Sequence, residues 1–115
     1  MVDRAQREPL SVVVVCCNES EKIEGCLTSV RWADEIVVVD SGSTDGTLDI
    51  ARKLAHRVEH HPWEGFVRQK NYALGLASHE WVLALDADEQ VSPELAEEIR
   101  EELARIAAGR VRAVG

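Results

Sequence analysis

The sequence is poor in several things, and each shortage excludes a class of protein. Its longest apolar run, Leu10 to Cys17, falls far short of the roughly 20 residues a helix needs to cross a bilayer. The opening "MVDRAQREPL" carries no apolar signal region, so the chain is expected in the cytoplasm. There are only three cysteines, with Cys16 and Cys17 adjacent, which gives neither a disulfide framework nor the paired spacing of a zinc site. Positive charge is also scarce. Thirteen Lys and Arg face 21 Asp and Glu, a formal net charge of -8, whereas a nucleic-acid surface needs clustered cations to neutralise phosphates. An anionic ligand would have to be met locally.

What remains is enough for one globular domain spanning residues 1–115, with 45% hydrophobic and 30% charged side chains and a modest core. No internal repeat, low-complexity tract or linker divides it. Apolar runs suited to buried parallel strands alternate with segments of helical periodicity, the pattern of an α/β fold. Strands are expected at Leu10 to Cys17, Glu35 to Asp40, Arg57 to Glu59 and Trp81 to Leu85. A helix from about Ser20 to Trp32 would bury Ile23, Cys26, Leu27 and Val30, with Asn18 and Glu21 as a capping box. Thr44 or Asp45 can cap a helix running to Ala55, with Leu48, Ala51, Leu54 and Ala55 inward. Pro62 and Gly65 break the chain before a helix over Phe66 to Ala77. Ser92 and Pro93 start a closing helix whose stripe is Leu95, Ile99, Leu103 and Ile106, with Gly109 as its expected end.

Two strands end in acid. "VVVDSGSTDGT" runs from buried valines into Asp40 and a turn, and "WVLALDADEQ" ends an apolar run with Asp86, Asp88 and Glu89. In an open parallel sheet, ligands sit beyond the carboxyl ends of the strands, so Asn18, Asp40 and Asp86 would face one crevice. Singly, Asn18 and the Ser43 to Asp45 cluster read equally well as helix caps. No glycine-rich phosphate loop is present. Asp86 and Asp88, spaced i and i+2 past a strand, can converge on Mg2+ or Mn2+, which hard oxygen ligands suit. A solvated acidic turn is the plainer reading of the same tripeptide. His56, His60, His61 and the cysteines fit no standard transition-metal spacing. Trp32, Trp63 and Trp81 read as packing residues, although Trp63 sits in a loop where it could also stack on a sugar.

The ordered segments "CNESEKIEGCLTSV", "ADEIVVVDSGSTDGT", "GFVRQKNYALGLA" and "EWVLALDADEQVSPEL" together resemble the nucleotide-binding half of the family 2 glycosyltransferases, inverting enzymes of Rossmann-like GT-A fold. Within the family, the similarity is greatest to bacterial lipopolysaccharide-core glucosyltransferases. The resemblance implies a UDP-sugar donor, a divalent metal and a saccharide or glycolipid acceptor, with peripheral membrane association through the full-length protein at the inner face of the cytoplasmic membrane. It implies that Asn18 and Glu19 open the nucleotide pocket, that Asp40, followed by Ser41, meets the uracil, and that Lys70 and Asn71 lie near base and phosphates. Asp86 then serves ribose and metal, and Asp88 the metal.

Many relatives have two aspartates where this chain has Asp40-Ser41, and an aromatic or small polar residue at the position of Cys17. The family's acidic catalytic base and acceptor-binding half lie well downstream of the Asp-Ala-Asp position, so the base is expected beyond Gly115 and the 115-residue chain is expected to be inactive alone. Two other readings compete. One is a non-catalytic nucleotide-sugar-binding module; the other is a nucleotidyltransferase, against which the acidic "CNESEK" loop argues.

Overall fold

The computed structural model describes the backbone of residues 2–114 and the side chains of residues 2–109. Four strands, β1 (Leu10–Cys16), β2 (Glu35–Asp40), β3 (Arg57–His60) and β4 (Trp81–Asp86), form one sheet in the order β3-β2-β1-β4. Every pairing is parallel. Four helices connect or follow the strands: α1 (Ile23–Ser29), α2 (Thr47–Leu54), α3 (Phe66–Leu76) and α4 (Pro93–Val114). This is the α/β arrangement that the alternation implies. A 3-10 turn at Arg4–Gln6 precedes β1. Among the described residues, no helix is long and apolar enough to cross a membrane.

The valine-rich strands are apolar throughout because both faces of the sheet are covered. On one face Val12, Val14, Ile36 and Val38 pack with Ile23, Cys26, Leu27 and Val30, all essentially inaccessible to solvent. Ala51 of α2 and Ala96 and Leu103 of α4 extend this core. The other face is thinner: Val13, Val37 and Val39 pack with Ala73 of α3, supported by the half-buried Val15, Tyr72, Leu76 and Val82.

Several local expectations are corrected. Asn18 and Glu21 do not cap α1: Asn18 takes a left-handed φ of 53°, which asparagine tolerates, and its Oδ1 accepts the Thr44 amide at 2.8 Å. The helix therefore begins only at Ile23. It ends at Ser29 rather than Trp32, because Ser29 Oγ donates back to the Cys26 carbonyl at 2.7 Å and Trp32 Nε1 donates to the Ser29 carbonyl at 3.1 Å. In α4, Ser92 Oγ does accept the Leu95 amide at 3.1 Å. Leu95 itself is 44% exposed, however, and the inward stripe is Ala96, Ile99 and Leu103. Gly109 does not stop this helix, which continues to Val114; a helical glycine costs about 1 kcal/mol but does not forbid the turn.

One tie was invisible in the sequence. Arg7, its side chain only 2% exposed, holds Asp34 at 2.8 Å and donates to the Trp32 carbonyl at 2.9 Å. Asp34 also accepts the Leu10 amide at 2.8 Å, fixing the start of the central strand.

Candidate functional site

Parallel pairing brings the acidic strand ends to the same edge. Cys16 of β1 is level with Asp40, and Val15 is level with Asp86. The β1–β4 ladder runs one step further, through the Ala87 amide to the Val15 carbonyl at 3.2 Å. Ala87 is buried against the core, and with its neighbours Asp86 and Asp88 it lines a crevice of about 690 Å³. Glu89 closes the turn, its Oε1 accepting the Asp86 amide at 2.7 Å and its own amide donating to the Asp86 carbonyl at 2.9 Å.

Asp86 carries an unmet demand. Its Oδ1 is enclosed and accepts no hydrogen bond, although the side chain as a whole is 43% exposed; the nearest cation, Lys70 Nζ on α3, is 3.7 Å away. An enclosed carboxylate oxygen with no donor suits an incoming cation or hydroxyl. Among the described residues no group of three or more His, Cys, Asp and Glu is placed to hold a metal. Asp86 and Asp88 offer two carboxylates at the crevice, hard-oxygen donors of the kind Mg2+ or Mn2+ takes, though fewer than a full set of ligands. Two histidines serve the fold: His56 Nδ1 accepts the Ile36 amide at 2.9 Å, and His61 Nδ1 meets Gln69 Oε1 at 2.9 Å.

Asp40 and Ser41 divide their tasks. The Asp40 side chain is buried; it accepts the Gly42 and Ser43 amides at 2.9 and 2.8 Å, the Ser43 hydroxyl, and the Cys16 thiol at 3.4 Å. Burial alone would raise its pKa, but these hydrogen bonds outweigh it and hold the carboxyl below its usual range. Ser41, not Asp40, lines the crevice.

The loop after β1 is sewn to the loop after β2. Besides Asn18 Oδ1 to Thr44, the Asn18 amide donates to Ser43 Oγ at 2.8 Å, the Glu19 amide to Thr47 Oγ1 at 2.9 Å, and the Ser20 amide to Asp45 at 3.3 Å. Asn18 is exposed and lies outside the main crevice, beside a smaller acidic hollow. Glu19 lines both, and its Oε2 is buried without a hydrogen bond. Asn71 is exposed on α3 and does not line the crevice.

Sequence reasoning gave no role at the site to three wall residues: Cys17, which it noted only as a departure from relatives, Phe66 and Gln69. Gln69 is buried, with Nε2 donating to the His61 carbonyl at 3.1 Å. Its signal was a polar residue three positions after Phe66, on the helix face that covers the sheet. Trp63 also lines the crevice, 52% exposed.

Known proteins resemble this chain in sequence and in fold. The chain is 42% identical over 99 residues to an uncharacterized glycosyltransferase of Rickettsia conorii, covering 85% of this chain and 35% of that protein. It is 39% identical over 101 residues to the lipopolysaccharide core biosynthesis glycosyltransferase LpsC of Rhizobium meliloti, covering 84% and 37%. It thus spans about a third of the length of these relatives. Among solved structures, S. aureus TarS superposes with a TM-score of 0.67 at 31% identity, over 79% of this chain and 31% of that one. Glucosyl-3-phosphoglycerate synthase of Mycobacterium tuberculosis, in complex with Mn2+, UDP and glucosyl-3-phosphoglycerate, gives 0.62 at 27% identity, over 72% and 36%. The model of glycosyl transferase family 2 matches residues 11–114, and the chain belongs to that family.

Proposed function

We propose that this chain is the donor-binding part of an inverting glycosyltransferase that moves a sugar from a UDP-sugar to a cell-envelope saccharide, of the kind found in a lipopolysaccharide core. The observation that carries the reading is that Asp86 and Asp88 line one crevice at the carboxyl edge of the sheet, with Asp86 Oδ1 enclosed, lacking a hydrogen bond and 3.7 Å from Lys70, which is not itself a lining residue. The Rhizobium relative's role in core biosynthesis and the UDP and Mn2+ held by the mycobacterial neighbour support the donor and acceptor classes.

In this reading Asp86 and Asp88 hold Mg2+ or Mn2+. When bound, the ion supplies positive charge that stabilises a departing diphosphate. Lys70 adds a second charge beside the diphosphate. Ser41 and Glu19 face the nucleoside, Asp40 and Asn18 keep their loops in place, and Asn71 lies at the outer margin. The acceptor hydroxyl oxygen bonds to the anomeric carbon from the face opposite UDP. The bond from that carbon to the β-phosphate oxygen breaks, and its electron pair leaves with UDP. The hydroxyl proton passes to a carboxylate base, a step that contributes about 10²- to 10⁴-fold in rate. We assign that base to the part of the protein downstream of these residues, as the family resemblance implies; Glu89, beside the acids, is engaged by the Asp86 amide, and Glu19 stands on the loop after β1 with the nucleoside. The longer protein is placed at the inner face of the cytoplasmic membrane.

Thermal denaturation with nucleotides tests the donor site. UDP with Mn2+ should raise the melting temperature, and UDP alone should do so much less. Equal shifts with ATP, or none with UDP, would remove the reading. UDP release from UDP-glucose, with and without a lipopolysaccharide-core acceptor, tests the remainder: acceptor-dependent turnover by residues 1–115 would show that the base lies within them.

A further inference from the structure

We infer that Trp63 and Phe66 form the wall against which the nucleobase of the donor stacks, and so are ligand-binding residues of the crevice. This rests on the donor-site reading above. Trp63 and Phe66 carry the only aromatic rings among the residues lining the crevice. They are 52% and 69% exposed, and their rings meet edge to face at 4.8 Å. The T-shaped contact leaves ring surface of both residues uncovered at a crevice whose opposite margin is acidic. Large exposed rings at a polar site point to a planar ligand that covers them.

The strand order decides which part of the ligand this is. Asp86 and Asp88 follow β4, at one side of β1, whereas Ser41 follows β2 at the other. The aromatic loop enters from that second side, since the His61 amide donates to the Asp40 carbonyl at 2.9 Å, two residues before Trp63. Gln69, bonded to His61 through both ends of its amide, ties the loop to α3 and fixes Phe66 one turn away. Neighbouring strands lie about 4.8 Å apart, so the ends of β2 and β4 are separated by about 10 Å. That gap suits the reach from a nucleobase across ribose to a diphosphate. With the diphosphate at the acids, the base falls on the Ser41 side, against the rings. Cys17, just after β1, offers no ring of its own to compete.

Calorimetric titration of the chain with UDP, UDP-glucose and inorganic pyrophosphate, each with Mn2+, tests the inference on wild type, Trp63→Ala, Trp63→Phe and Phe66→Ala. Base–aromatic stacking has a magnitude that predicts about tenfold or greater weakening of UDP by Trp63→Ala. Trp63→Phe should stay within about threefold of wild type, because a phenyl ring also stacks. Pyrophosphate should bind all four proteins alike. Unchanged UDP binding in both alanine variants would overturn the inference while leaving the donor site standing. A loss seen with UDP-glucose but not with UDP would assign the wall to the sugar and overturn it too, as would equal losses for UDP and pyrophosphate. Failure of the wild type to bind UDP at all would instead sink the donor-site reading, and the stacking wall with it. Trp63 and Phe66 are exposed, so the variants should fold, which far-UV circular dichroism checks.

Discussion

Lys70 Nζ on α3 stands 3.7 Å from Asp86 Oδ1 at the end of β4, and each side chain is 43% exposed. An ion pair this open adds no more than about 1 kcal/mol to stability, so its value lies in where it puts charge. Lys70→Ala should leave the urea midpoint nearly unchanged while weakening UDP–Mn2+ binding about tenfold or more, the size of a lost charge-assisted hydrogen bond. A large drop in stability with unaltered binding would make the pair structural.

Asp88 and Asp40 should separate under mutation. Asp88 is exposed at the crevice, so Asp88→Asn should abolish the Mn2+-dependent part of UDP binding with little change in melting. Asp40→Ala strands the Gly42 and Ser43 donors and should cost about 1–3 kcal/mol of folding stability. It should also weaken UDP equally with or without metal. Identical behaviour of the two variants in calorimetry and melting would refute the division of labour.

Acid should unfold the protein through carboxylates at both ends of the sheet. At Asp34, burial pushes the pKa up, but the Leu10 amide and the Arg7 guanidinium win and hold it below 3.8. At Glu35, burial is likewise outweighed by Ser78 and Ser11, below 4.5. Asp45, held by the Thr47 hydroxyl and amide, falls to about 2. A carboxyl whose folded pKa lies below its unfolded one gives stability that is complete above the unfolded value and disappears as pH falls through the folded value. The urea midpoint should therefore be flat above about pH 5 and decline from about pH 4.5 towards 2. Asp34→Asn should lower the neutral plateau and flatten the decline. An acid limb as steep as wild type in that variant would exclude Asp34 from the effect.

The three thiols should differ in reactivity. Burial, then the charge of Asp40, raises the pKa of Cys16; burial, then Glu89, pushes Cys26 up to about 12. Cys17 is exposed and lines the crevice. Thiolate is the reactive form, so an aromatic disulfide reagent at pH 8 should modify one thiol quickly and the other two only on unfolding. UDP with Mn2+ should slow the fast reaction. Two fast thiols, or no protection, would contradict the placement.

Much of this fold was legible because parallel strands buried on both faces leave an unmistakable trace: Glu35–Asp40 is expected and found with the same bounds. The helix interiors were legible too, since Ile23, Cys26, Leu27 and Val30 repeat at the helical period. Their ends were not. Asn18 has the composition of a cap, but its side chain bonds Thr44, 26 residues away, and no local rule sees so far. Leu95 fits the stripe of α4 by spacing alone, yet the neighbouring Ala96 is the smaller residue that packs inward. At the site, acids announced themselves by interrupting apolar runs. Which of Asp40 and Ser41 reaches the crevice depended on four hydrogen-bond donors that only the folded turn assembles. Arg7 and Gln69 were missed for the same reason, their partners being distant in sequence or supplied by backbone.

The unequal covering of the sheet has a consequence for motion. Asp86 and Asp88 stand at the end of β4, an outer strand tied along its whole length to the central strand β1. Phe66, Gln69 and Lys70 ride on α3, which is held by the thinner layer of Val13, Val37, Val39 and Ala73 with their half-buried neighbours. Local opening is easiest where few apolar contacts must be given up. The crevice therefore has one fixed jaw and one compliant jaw. A ligand that touches both, a phosphate at Lys70 or a planar ring at Phe66, spends part of its binding energy on quieting α3. Amide exchange in α3 should then report occupancy more sensitively than exchange in β1.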